Sequence, residues 1–144
     1  MANIFDVATY ILESIGTSSA MKLQKLAYYS QAWSLVWDEE ELFEEDFEAW
    51  ANGPVVRSLY NKHRGMFKVS TDVFPEGNSD NLTENQKDTI DKVLEFYGDK
   101  TAQWLSNLTH KELPWQEARG SLEPMDNCSE LITKASMAEY YSAL

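Results

Sequence analysis

Between Ser19 and Trp37 the chain carries Leu23, Leu26, Ala27, Tyr29, Trp33, Val36 and Trp37 at helical spacing, with Met21, Tyr28, Ala32 and Leu35 around the sides. Only Lys22, Gln24, Lys25, Gln31 and a few serines interrupt it. A helix that is apolar around most of its circumference has to be surrounded by protein. The spacing therefore predicts a central helix over 19–37, capped by Ser18 or Ser19, with the rest of the chain wrapped about it. Lys22 and Lys25, one turn apart, could pin an anion, but the favoured reading is a narrow polar seam that pairs with nearby acids. Trp33 and Trp37, also one turn apart, read as packing residues.

The wrapping elements follow from shorter signals. Phe5, Ala8, Ile11, Leu12 and Ile15 predict a first helix over 3–15, closed by Gly16. Phe47, Ala49 and Ala51 alternate with Glu48 and Trp50, which suits a short hairpin of 41–44 against 46–51. In Asn52-Gly53-Pro54, the proline suits the first position of a third helix over 54–64, which Gly65 ends. Pro75, Gly77, Asn78, Ser79 and Asp80 mark 66–82 as a turn-rich, mobile connection with a short strand near Phe67–Val69. Thr83-Glu84-Asn85-Gln86 is a capping box that starts a helix over 84–97. A helix over 100–108 follows. Thr109-His110-Lys111-Glu112 reads as a second capping box ahead of a short helix to Arg119, and a last helix covers 134–142. The expected fold class is mainly α (α+β): an irregular helical domain around a central buried helix, with a small β-hairpin inserted after it. At 144 residues, one domain over 1–144 is expected.

Charge narrows the function. The formal net charge is -12, and a chain this acidic repels phosphate backbones, so no direct nucleic-acid partner is expected. No run of about twenty apolar residues exists, so no membrane span is expected. The single cysteine, Cys128, and a start without a positively charged leader region suit a soluble, cytoplasmic protein. Eight acids and no base lie between Asp38 and Glu48. Such a run is either a solvated connection or a docking surface for a basic partner.

Catalytic signals are thin. His63, His110 and Cys128 are the reactive types apart from carboxylates and hydroxyls. Cys128 sits beside Asp126 and Glu130, surroundings that do not activate a nucleophile. His110 and Glu112 supply two ligand types without a third, so no metal is expected. His63 suits the negative end of its helix. Phosphate-cradling glycine patterns are absent, and no cofactor is expected. A small hydrolase built on His110 and nearby carboxylates is the enzymatic alternative.

Two blocks of sequence carry a resemblance. Met21-Lys22-Leu23-Gln24-Lys25-Leu26-Ala27-Tyr28-Tyr29, then Gln31-Ala32-Trp33, leads on to Phe47-Glu48-Ala49-Trp50-Ala51-Asn52-Gly53-Pro54-Val55-Val56 and Leu59-Tyr60. Leu105 and Leu108-Thr109-His110-Lys111-Glu112-Leu113-Pro114-Trp115 follow, with Ala118-Arg119 and the ending from Ile132 to Tyr140-Tyr141. Together they resemble the Panacea domain of SocA-type antitoxins and phage-associated GepA-type proteins. The resemblance implies an antitoxin, not an enzyme, that neutralises a cognate protein toxin by direct binding. It implies toxins that include enzymes modifying tRNA or nucleotides, and, for SocA-like members, delivery of the toxin to a Clp-type protease. A phage-encoded regulator of a host protein is the alternative partner reading. With no DNA-binding segment appended, operator binding is not expected. The candidate partner-contacting residues are Asp38, Glu41 and Glu45 of the acid run, Trp50 as an outward-facing anchor beside Asn52, and Tyr60 and His63.

Overall fold

The computed structural model describes residues 2–144; Met1, where the expected domain starts, lies outside them. The central helix, α2, spans Ala20–Trp37 and is capped by the Ser19 hydroxyl, which accepts from the Lys22 N–H. Leu23, Leu26, Ala27, Tyr28, Tyr29 and Ala32 on it are buried, and so are Gln24, Lys25, Ser30, Gln31 and Ser34. The other helices are α1 (Ile4–Ile15), α3 (Arg57–His63), α4 (Glu84–Tyr97), α5 (Ala102–His110), α6 (Leu113–Arg119) and α7 (Lys134–Ser142). Of these, α1, α4, α5 and α7 pack directly on α2. The fold is mainly α with small antiparallel sheets, as the spacing predicts.

Local capping accounts for most helix starts. Asn3 and Asp6 form a reciprocal box at α1, Thr83 and Gln86 at α4, and Thr101 and Thr133 cap α5 and α7. Two expectations are corrected here. Thr109 lies inside α5, which runs to His110 and not to 108, and Glu112 precedes α6 without capping it through its side chain. Glu112 is instead drawn into the core. The hydroxyls of Tyr29 and Tyr141 each donate to its Oε1 at 2.7 Å, and Tyr141 and Tyr28 share a further bond at 3.1 Å. Burial raises the Glu112 pKa, and the two tyrosine bonds oppose that shift.

The sheet also differs from the expected hairpin. β2 (Phe47–Trp50) pairs with β3 (Gly53–Val55) on one side and with β5 (Leu131–Ile132) on the other, in the order β3-β2-β5. Residues 41–44 form no strand. Pro54 therefore stands in an edge strand opposite Ala49, where its missing N–H costs no ladder bond, and α3 begins only at Arg57. A second, two-stranded ladder joins β1 (Ser18–Ser19) to β4 (Lys68–Val69), within the stretch where a short strand is expected.

The connection over 66–82, expected to be mobile, is tied down. Asp6 accepts from the Asn78 N–H at 2.8 Å and from the Asn81 side chain at 3.3 Å, and Phe74 is buried. Trp37 is 48% exposed and stacks on the half-buried Trp33, so that pair is a surface-to-core step and not interior packing alone. No helix among the described residues is long and apolar enough to cross a membrane.

The polar residues of α2 do not form the expected surface seam. Gln31 accepts from the Leu42 N–H at 2.7 Å and donates to the Phe43 carbonyl at 2.9 Å. Gln24 does the same for Val56, accepting from its N–H at 2.9 Å and donating to its carbonyl at 3.3 Å. Ser34 donates to the Glu40 carbonyl. Each side chain satisfies buried loop backbone that would otherwise go unpaired. Gln31→Leu is therefore expected to lower stability by about 2 kcal/mol, because it strands a buried donor and a buried acceptor. Urea denaturation of the two proteins measures this, and an unchanged midpoint contradicts it.

Candidate partner-binding site

The turn between β2 and β3 is anchored from two helices. Ser106 of α5 donates to the Asn52 carbonyl at 2.7 Å, and the Trp115 indole of α6 donates to the Trp50 carbonyl at 2.8 Å. Arg119, buried at the end of α6, donates to the Ala49 carbonyl at 2.9 Å and to the carbonyls of Glu123 and Asp126 at 2.7 Å each. That fan of bonds also fixes the 120–130 loop. Between that loop, the turn and α3 runs an open groove of about 720 Å³, walled by Trp50, Arg57, Tyr60, Arg64 and Cys128 among others.

Trp50 is half-buried in this wall and does not stand outward as expected. Its ring packs on Tyr60 with centroids 4.7 Å apart, under the Arg57 guanidinium at 5.2 Å. Arg57 in turn forms a two-pronged pair with Glu48 at 2.9 and 3.0 Å. Burial works to raise the Glu48 pKa, but the bonds from Arg57 and the Trp50 indole outweigh it and hold the carboxyl below its usual range.

Met21, Asn52 and Tyr60 also line a second pocket of about 320 Å³ next to the groove. Lys25, His63 and Ser106, all buried, make its floor, and exposed Met66 and Phe67 stand at its rim. Phe67 is 77% exposed, unusual for a phenylalanine whose backbone is held, its carbonyl accepting from the Ala20 N–H.

Lys25 is the anomaly. It is 1% exposed, and its Nζ has no hydrogen-bond partner among the described residues. The expected pairing with nearby acids is absent. Burial alone lowers its pKa to about 7. Room for the side chain comes from Gly53. A Cβ built there would lie 2.7 Å from Lys25 Cε and 3.0 Å from Thr109 Oγ1, and Gly53 has φ +115° besides. Only glycine fits on both counts.

The histidines flank this lysine. His63, read as a helix-end cation, is 2% exposed; burial lowers its pKa, and so does the charge of Lys25. Because the Gln24 amide oxygen is committed to Val56, its NH2 faces His63 Nε2 at 3.0 Å, which makes that nitrogen the acceptor of a neutral ring. His110 stacks on Trp115, centroids 4.1 Å apart, and its buried Nε2 has no partner among the described residues. Burial and then the charges of Lys25 and Arg119 work to lower its pKa against a bond to the Ala51 backbone. Among the described residues, no group of three His, Cys, Asp or Glu could hold a metal ion.

Of the residues singled out from sequence, Trp50, Asn52, Tyr60 and His63 thus converge on the groove and pocket. Asp38, Glu41 and Glu45 do not join them. Asp38 accepts from the Thr89 hydroxyl at 2.6 Å, Glu41 pairs with Lys134 at 3.3 Å, and Glu45 accepts from the Ile4 N–H at 3.3 Å. The site residues missed from sequence are Lys25, Gly53, Arg64, Met66 and Phe67. For Lys25 the signal was present, since a lysine on a helix enclosed by protein must itself be enclosed.

A family model described as the Panacea domain of SocA-like antitoxins matches residues 23–116, well over half of the chain, and the chain belongs to that family. The match contains the pocket floor and rim just described. No curated protein and no solved structure matches the chain.

The unpaired lysine has a measurable effect on stability. In the unfolded chain it titrates near its ordinary value of about 10.4, and in the folded chain at about 7. Between these values the unfolded state holds a proton that the folded state lacks, so stability rises with pH through that window. Below about pH 7 both states hold the proton and the destabilisation is full. Lys25→Met is expected to raise stability near pH 7 by about 1–4 kcal/mol and to remove the rise between pH 7 and 10. Denaturation curves across that range, read as the difference between the two proteins, decide it. Gly53→Ala is expected to cost about 2 kcal/mol or more, part of it recovered in a Lys25→Ala background.

Proposed function

We propose that this member of the SocA-like antitoxin family neutralises a protein toxin by binding it directly, without chemistry of its own, along the face formed by the β2–β3 turn, α3 and the Met66–Phe67 rim. Family membership supports a role in a toxin–antitoxin system. The observation that supports this face is its construction. A rigid aromatic wall, Trp50 on Tyr60, stands beside Met66 and Phe67, which are 47% and 77% exposed. Aromatic and methionine side chains held in place at the edge of a concavity are the anchors that protein interfaces favour.

The acid run takes a different part in this reading. Asp38, Glu41, Glu45 and Asp46 have partners within the fold, while Glu39, Glu40 and Glu44 remain exposed. Their field draws in a basic partner and raises its on-rate without contact at the groove.

Co-expression with the product of the adjacent reading frame tests the proposal. The wild-type chain is expected to restore growth, and Phe67→Asp, which places a charge on an exposed rim residue, to restore it poorly while folding normally. A toxin whose level falls only in a host with an intact Clp protease would assign protection to delivery for degradation. A product that is harmless alone, or equally toxic beside the wild-type chain, contradicts the proposal.

A further inference from the structure

The groove face holds a charge imbalance opposite to that of the whole molecule. Within a chain of net charge -12, neither Lys25 in the pocket nor Arg64 in the adjoining groove forms an ion pair among the described residues. Arg119, equally buried, shows what the fold does with a cation it needs structurally: four backbone carbonyls receive it. Lys25 receives none. A buried cation left in this state costs stability, a cost relieved either by loss of its proton or by an anion delivered from outside. The fold moreover keeps Gly53 in a left-handed conformation with its α-carbon against this side chain, a second expense incurred for the same lysine.

We infer that the Lys25 pocket receives a carboxylate presented by an acidic side chain of the bound toxin. This rests on the direct-binding function proposed above and names the chemistry of its central contact. The pocket's size and setting select the source. About 320 Å³ holds one or two side chains, its mouth is open, and it adjoins the longer groove, so the occupant belongs to a larger body. Met21, Met66 and Phe67 at the rim suit the methylenes of a glutamate and the apolar residues around it. Ser106 and Asn52 supply the neutral polar groups at the site.

Binding is linked to protonation. The titratable groups around Lys25 are Tyr60 and His63 from α3 and His110 from α5, and burial lowers the pKa of both histidines. β3 presents only the Gly53 backbone, and α5 adds the hydroxyls of Thr109 and Ser106. With no ion pair to Lys25 among the described residues, the arriving acid is the ammonium's first counterion. Affinity is then expected to fall about tenfold per pH unit above the free lysine's value near 7.

The first arm of the test needs no toxin. The full chain, labelled with 13C-lysine, is titrated by NMR with N-acetyl-glutamate N-methylamide, with Lys25→Met identifying the Lys25 Cε signal. The acidic probe is expected to shift that signal and to raise the lysine's titration midpoint by at least one pH unit. N-acetyl-glutamine N-methylamide is expected to do neither. An unmoved signal, an equal effect from the amide, or a stronger response to inorganic phosphate overturns the carboxylate assignment. The second arm uses the toxin that the wild-type chain neutralises. Lys25→Met is expected to weaken the complex at least tenfold and to abolish its pH dependence, and equal affinity with an unchanged pH profile overturns the inference. Failure of the wild-type chain to neutralise any toxin would instead sink the functional reading and leave the probe titration to stand or fall alone.

Discussion

A helix with protein on every side must have each of its polar atoms answered from within, and α2 sets that requirement for the whole molecule. Gln24, Gln31 and Ser34 meet it by bonding loop backbone, and Ser30 by bonding the carbonyl one turn back. The bonds run both ways in effect. They make α2 tolerable inside the core, and they fix segments that have little secondary structure of their own, namely residues 40–43 and the β3–α3 junction. Tyr28 and Tyr29 extend the same device to α7 and the start of α6, where they meet Tyr141 and Glu112.

One residue of the helix does not comply, and the proposed function turns on it. Lys25 lies one position after Gln24 and is enclosed by Gly53, Thr109 and the histidines, yet its ammonium is unanswered. The surrounding elements are rigid for independent reasons, because Ser106, Trp115 and Arg119 all bond carbonyls of the β2–β3 region. An unanswered charge in a flexible region would relax toward water. Held at the floor of a pocket with an apolar rim, it becomes a specific demand on whatever binds there. A negatively charged molecule with a cationic pocket recruits at long range by one sign of charge and sets register at short range by the other.

Elements with local determinants were legible in the sequence. α1, α4, α7 and the central helix carry both periodicity and caps within a few residues, and they stand close to where the spacing puts them. The errors have a common cause. The alternation at Phe47–Trp50 identifies a strand but not its partner, and the choice of β3 and β5 is made by contacts that local pattern does not contain. Gly53-Pro54 satisfies the local rules for a helix start and for an edge strand equally well, and pairing with Ala49 decides. Thr109–Glu112 matches a capping box, but Tyr29 and Tyr141, distant in sequence, claim the glutamate. At the site, Trp50, Asn52, Tyr60 and His63 were legible as a neighbourhood. Lys25 departs from the favoured seam reading because charge spacing along a helix does not distinguish a surface seam from a buried cation, whereas the helix's own apolarity argues for burial.

The claim on which the account depends is that the working surface is the groove and pocket beside the β2–β3 turn. Hydrogen–deuterium exchange on the complex with its toxin tests it most directly. The account predicts new protection in the segments holding Met21, Trp50–Asn52, Tyr60 and Met66–Phe67, with little change over residues 38–46 and α7. Protection confined to the acid run and α7, with the β2–β3 turn and the Phe67 rim exchanging as in the free chain, would contradict it.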